Sequence, residues 1–167
     1  MTPSLARPAA AWLAASVLLL AGCASPPRAT GPADIQSGPW TGRLALQVAD
    51  NPDQSFSATF ELKGQAPAGA LTLFTPFGGT AAVLNWSPGS ATLSANGQVR
   101  QYESVDALVA QATGSPLPVA ALFDWLAGRN VPVPGWQADL SMLGEGRLRA
   151  QRISPPPQAD LRVVLDR

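Results

Sequence analysis

One thiol, one amine and no imidazole bound the chemistry open to this 167-residue chain. Cys23 is its only cysteine and Lys63 its only lysine, and histidine is absent. The missing imidazole removes the side chain that most often works as a general base near neutral pH, and with it the commonest nitrogen ligand for a metal. A single cysteine can form neither an internal disulfide nor a thiolate metal site. Lys63 lies beside a predicted turn. Asp106 and Asp124 read as helix-surface groups, and Asp106 falls in a first turn, where a negative charge is favourable. No phosphate loop or dinucleotide fingerprint is present. The residues therefore predict a protein that is not an enzyme and needs neither metal nor cofactor. They leave one nucleophile to be explained, the Cys23 thiol.

The residues before Cys23 explain it. Met1 to Arg7 is short and polar with one positive charge, and Ala9 to Ala21 is almost wholly apolar. A membrane-spanning helix needs ~20 apolar residues, so this stretch reads instead as a cleavable secretory signal. Leu20-Ala21-Gly22-Cys23 resembles the lipobox of bacterial lipoproteins. That resemblance implies diacylglyceryl transfer to the Cys23 thiol, cleavage before it, and acylation of the new amino terminus. The alternative is an uncleaved apolar anchor with an incidental thiol. Residues 1–22 are thus expected to be removed. Residues 23–39, with four prolines and two glycines between Ala24 and Pro39, read as a lipidated start and a flexible tether. Residues 40–167 form the single domain expected from the remaining length.

Of the eleven basic residues only Arg7 falls in the signal, so the mature chain carries ten basic against eleven acidic side chains. Such a balance gives no electrostatic reason to expect nucleic acid. Hydrophobic residues make up 46% and charged residues 13% of the chain, apolar enough that an internal cavity is one way to hide the excess.

The domain opens with period-two alternation. Leu44, Leu46 and Val48 share one face, as do Phe56, Ala58, Phe60 and Leu62, and Asn51-Pro52-Asp53 turns between the two runs. Residues 70–75 and 80–86 form the next pair of strand patterns, and 90–95 and 98–102 a third, joined by Asn96-Gly97, a strong hairpin signal. Ser104 then caps a helix over 104–113, with Val105, Leu108, Val109 and Ala112 on one stripe and Gly114 and Pro116 ending it. A second helix is predicted over 119–127, with Val119, Leu122, Phe123 and Leu126 on one stripe. Strand patterns resume at 135–142, 147–153 and 161–165. The chain is predicted to be mainly β: an antiparallel meander curved into an incomplete barrel, with two short helices over or inside it.

Four stretches, in order across the domain, resemble the outer-membrane lipoprotein receptor LolB family. They are Trp40-Thr41-Gly42-Arg43-Leu44-Ala45-Leu46; Leu71 to Thr80 with its Pro76-Phe77-Gly78 tip; Thr113 to Val119 followed by Leu122, Trp125, Leu126 and Gly128; and Gly135-Trp136-Gln137-Ala138-Asp139-Leu140. The resemblance implies a half-open antiparallel β-barrel of about eleven strands, with helices as a lid or plug over an apolar cavity. It implies a protein, likewise lipid-anchored to the outer membrane and facing the periplasm, that accepts acylated lipoproteins from the periplasmic carrier LolA and inserts them into the inner leaflet. Ala24, which follows the lipidated Cys23, is not the Asp that favours inner-membrane retention under the enterobacterial sorting rule. Outer-membrane lipids are then a partner, and the protein is expected to be a monomer.

Candidates for the acyl-chain cavity are Leu44, Leu46, Val48, Phe56, Phe60, Leu71, Leu73, Leu122, Trp125 and Leu126. Ordinary core packing produces the same pattern, and the residues alone leave both readings open. Arg43 is read as an exposed structural residue, with a hydrogen bond to a lid backbone or to a ligand carbonyl as the alternative. A turn tip normally carries polar residues, so Phe77 between Pro76 and Gly78 is a local inconsistency of the kind found at functional sites. It reads as a membrane-insertion loop, unless Phe77 folds back onto the rim. Two other functions remain: a structural lipoprotein that scaffolds an envelope complex, and a carrier of another amphiphile such as a glycolipid.

Lipid attachment is directly testable. Mass spectrometry of the membrane fraction is expected to show two or three acyl groups on Cys23, and Cys23→Ser is expected to carry none. Mature protein that retains Met1 would refute the processing scheme.

Overall fold

The computed structural model describes residues 38–113 and 117–166. Cys23, the tether as far as residue 37, and Gly114 and Pro116 lie outside the described residues. Nine strands are found among them: β1 (Trp40–Val48), β2 (Phe56–Gln65), β3 (Ala68–Phe74), β4 (Thr80–Ser87), β5 (Ser90–Ala95), β6 (Gln98–Tyr102), β7 (Trp136–Asp139), β8 (Arg147–Arg152) and β9 (Ala159–Leu165). Two helices, α1 (Val105–Thr113) and α2 (Val119–Leu126), come between β6 and β7. The strands form one antiparallel sheet in the order β6-β5-β4-β3-β2-β1-β9-β8-β7. β6 and β7 are its two edges, so the barrel is half-open.

Alternation along β1 decides which face is core. Trp40, Leu44, Leu46 and Val48 are buried while Thr41, Arg43 and Gln47 are exposed. Register carries this choice across the sheet, because side chains directly opposite one another share a face. Leu46 lies opposite Phe56 and Leu161; Phe60 opposite Leu73; Leu62 opposite Leu71; and Leu71 opposite Leu84. The result is one continuous apolar inner face.

Local chemistry fixes the connections. Asn96 (φ 52°) and Gly97 (φ 73°) both adopt the left-handed conformation that a two-residue type I′ hairpin requires. Between β1 and β2, the Ser55 hydroxyl accepts from the Val48 N–H at 2.9 Å and donates to the Asn51 carbonyl at 3.2 Å. The Ser104 hydroxyl accepts from the Ala107 N–H at 3.1 Å and caps α1. β7 stops earlier than its sequence pattern, because the Asp139 carboxylate accepts the Ser141 N–H at 2.9 Å and turns the chain into a short 3-10 segment, Leu143–Glu145.

Both helices pack on the inner face. Leu108 and Val109 of α1, and Val119, Ala121, Phe123, Trp125 and Leu126 of α2, join the same core as the inward strand residues. Phe123 meets Trp40 and Trp86 edge-on, with ring centroids at 5.5 and 6.0 Å, a favourable aromatic geometry. Trp125 lies against Trp136 at 6.4 Å. Two of the buried indoles donate to backbone carbonyls, Trp86 to that of Ala66 at 3.0 Å and Trp125 to that of Val131 at 3.1 Å.

On the outer face Asp160 accepts from Arg149 and Arg162, each Nε at 2.8 Å, and from the Gln151 amide at 3.2 Å. Burial pushes the Asp160 carboxyl up, but the hydrogen bonds and charges of the two arginines outweigh it and hold the group below its ordinary value. A carboxylate whose pKa is depressed on folding stabilises the fold above its unfolded value of ~3.9, and that contribution is lost as pH falls through the folded value. Urea denaturation is expected to find Asp160→Asn less stable than wild type near neutral pH, with the gap closing as the pH is lowered below about 4.

A glycine pair provides a second check. A Cβ on Gly42 would lie 2.1 Å from the Val164 carbonyl oxygen on β9, whereas one on Gly97 would meet nothing within 4 Å. Gly97→Ala therefore carries only the left-handed backbone penalty, ~1–2 kcal/mol. Gly42→Ala is expected to cost more, because the β1–β9 ladder must move. Equal losses would refute the contact.

Candidate functional site

The loop between β3 and β4 is built by its own backbone. The Gly78 N–H donates to the Thr75 carbonyl at 2.9 Å, closing a turn, and the Thr75 N–H donates to the Gly79 carbonyl at 2.7 Å. The Thr75 hydroxyl accepts the Gly79 N–H at 3.1 Å. Pro76 presets the backbone at the second position of the turn, and Gly78 (φ 82°) supplies the left-handed residue that returns the chain to the ladder. Phe77 is left at the outermost position with no packing duty, and it is 99% exposed. A phenyl group in water forgoes ~1.5–3 kcal/mol available from full burial.

The inner face beneath holds the ten residues singled out for an acyl-chain cavity. Leu44, Leu46, Val48 and Phe60 of the sheet and Trp125 and Leu126 of α2 are buried. Phe56, Leu71, Leu73 and Leu122 are half-buried and pack against that core. The structure brings all ten into one apolar layer between sheet and helices. With the helices seated, six of them are sealed and four keep partial access to solvent.

Arg43 alternates with Leu44 and so points outward, exposed, with Thr59 and Val164 opposite it on β2 and β9. It shares a shallow cleft with Ser57, Thr59, Phe74 and Pro76, at the root of the Phe77 loop. The helices lie on the other face of the sheet.

Sequence reasoning overlooked the aromatic clamp of Trp40, Trp86 and Phe123, although Trp40 and Trp86 fall on the inward register of their strands. It also overlooked Arg152, 3% exposed. The signal for Arg152 was present: Leu148, Ala150 and Arg152 alternate along β8 as buried residues between exposed Arg149 and Gln151. Among the described residues no helix is long and apolar enough to cross a membrane.

Known proteins share this sequence pattern. A family model described as "Outer membrane lipoprotein LolB" matches residues 39–154. A relative from Bordetella petrii named "Outer-membrane lipoprotein LolB" is 36% identical over 182 aligned positions, covering 92% of this chain and 90% of the relative. One of the same name from Bordetella pertussis is 37% identical over 126 positions, covering 71% and 63%. Another from Cupriavidus pinatubonensis is 38% identical over 137 positions, covering 78% and 65%. The family match spans the opening strand, the Phe77 loop, both helices and the strands through β8. The chain belongs to the outer-membrane lipoprotein LolB family.

Proposed function

We propose that this protein is a lipid-anchored acceptor on the periplasmic face of the outer membrane. It takes acylated lipoproteins from a LolA-like periplasmic carrier and inserts them into the inner leaflet. The observation that carries this reading is an apolar residue, Phe77, held out in solvent on a sheet whose inner face is lined by apolar side chains except at Arg152.

Exposing acyl chains to water costs ~0.8 kcal/mol per CH₂, so a cargo with several long chains must stay covered throughout its passage. The layer formed by Leu44, Leu46, Val48, Phe56, Phe60, Leu71, Leu73, Leu122, Trp125 and Leu126 offers that cover. Chains entering between sheet and helices replace apolar contacts with apolar contacts, which keeps the exchange nearly balanced. Phe77, aimed by Pro76 and Gly78, enters the bilayer and brings the open end of the sheet against it. Its gain of ~1.5–3 kcal/mol orients the domain, while the lipid on Cys23 holds the chain at the membrane through the tether of residues 23–39.

The two steps separate experimentally. Phe77→Glu is expected to leave folding and acyl binding unchanged, because the side chain packs on nothing, and to slow release of a lipoprotein into liposomes about tenfold or more. Phe77→Leu is expected to preserve release, since the role needs apolar bulk. A folded Phe77→Glu protein that releases cargo at the wild-type rate would refute the wedge. A protein that takes no cargo from a loaded carrier would refute the transfer role and favour a scaffold.

A further inference from the structure

Among the described residues one charged side chain is buried, Arg152 on β8. It shares the inner face with Leu148 and Ala150, opposite Trp136 of β7 and Ala159 of β9, and Ala159 in turn lies opposite Val48 of β1. Burying a guanidinium is costly unless charge or hydrogen bonds compensate it. Burial pushes the Arg152 pKa down, and no carboxylate lies within ion-pair distance among the described residues. Its protein partner is neutral: Nε donates to the Pro157 carbonyl at 3.0 Å, and Nη2 donates to the same oxygen.

A guanidinium carries five N–H donors, so most of this one's capacity is unspent. No acceptor for Nη1 is found among the described residues. Two clefts meet at the side chain. One has Leu117, Val133, Pro134 and Trp136 in its walls together with the Asp106 carboxylate, and the other, with Gln151 and Asp160 in its walls, opens at the strand ends beside Val48 and Ala159. Arg152 ends β8, Val48 ends β1, and Phe74 ends β3 just before the Phe77 loop. Register places Arg152 level with Ala159 and Val48, whereas Phe74 is level with Thr59, Arg43, Val164 and Arg147, the residue that opens β8.

An unspent donor set at the rim of an apolar face matches an amphiphile at the point where its chains join its polar part. We propose that Arg152 binds the ester and amide carbonyls where the acyl chains of the cargo meet glycerol and the N-terminal cysteine. This deepens the transfer reading and rests on it. This guanidinium already donates to a neutral carbonyl at Pro157, and the Asp106 carboxylate in the same cleft disfavours an anion beside it. Arg152 then sets how deep the chains enter, with the apolar part inside and the peptide outside.

The test uses the mature chain, residues 23–167, carrying Cys23→Ala so that its own lipid does not compete. Two fluorescent probes are compared by anisotropy: a diacylglyceryl-cysteine peptide with ester linkages, and a twin in which dialkyl ethers replace the esters at equal chain length. The ester probe is expected to bind about tenfold more tightly, the scale of one or two well-made hydrogen bonds. Arg152→Gln, which keeps an amide N–H for Pro157, is expected to bring that ratio close to one while binding of the ether probe changes little. Equal affinities on the wild-type protein would overturn the assignment, as would a folded Arg152→Gln protein that keeps the ratio; in both cases the transfer reading stands. Wild-type protein that binds neither probe would overturn both. If Arg152→Gln fails to fold, the ester-to-ether ratio on the wild-type protein decides alone.

Discussion

The ladder between β1 and β9 is what makes the nine strands one sheet. Every other strand pair joins neighbours in sequence, across short hairpins or modest loops. This one brings Gly42 opposite Leu165 and Val48 opposite Ala159. Remove it, and the chain divides into a meander of β1–β6 and another of β7–β9, neither able to surround the helices. Loop-closure entropy grows only slowly with loop length, so the ladder is affordable. The inner-face contacts of Leu46, Leu161 and Val163, all nearly inaccessible, supply the return. Close approach at the start of β1 is permitted because residue 42 is glycine, with the Val164 carbonyl where a side chain would stand.

Once that ladder is set, the two helices have one place to go. The inner face of a sheet this curved must be covered, and α2 covers it with rings against Trp40 and Trp86. Positions such as Leu46 and Leu126 thereby become core while Phe56 and Leu73 stay only half-buried. The same residues serve packing and, in the proposed function, the ligand. In the proposed function this layer needs no empty cavity in the absence of cargo, because helix and acyl chain would be interchangeable fillers for it.

Much of this was legible in the residues. Period-two alternation fixed the inward set of β1 and β2, Asn96-Gly97 fixed a hairpin, and Ser104 fixed a helix start. These signals are local, and the structure agrees with them to within a few residues at each end. Where it differs, a short-range competitor won: Asp139 turns the chain before the apolar pattern from Gly135 to Met142 has run out. The β1–β9 pairing has no local signal, since any two alternating strands could pair. Arg152 escaped notice because a charged residue reads as surface until its register is known. Family resemblance implies about eleven strands; nine are found among the described residues.

The sheet has two ends that do not meet. A closed barrel has a circumference set by its strand count and stagger, and widening it means breaking a ladder. Here β6 and β7 share no ladder, and α1 and α2 fill the interval in the chain between them. The girth of the domain can therefore change by a shift in strand coiling and helix position, with every backbone hydrogen bond of the sheet retained. Such a container is elastic rather than rigid. Its capacity is set by how far a seam held by side-chain packing can be parted, which suits occupants of unequal bulk better than a bore of fixed diameter.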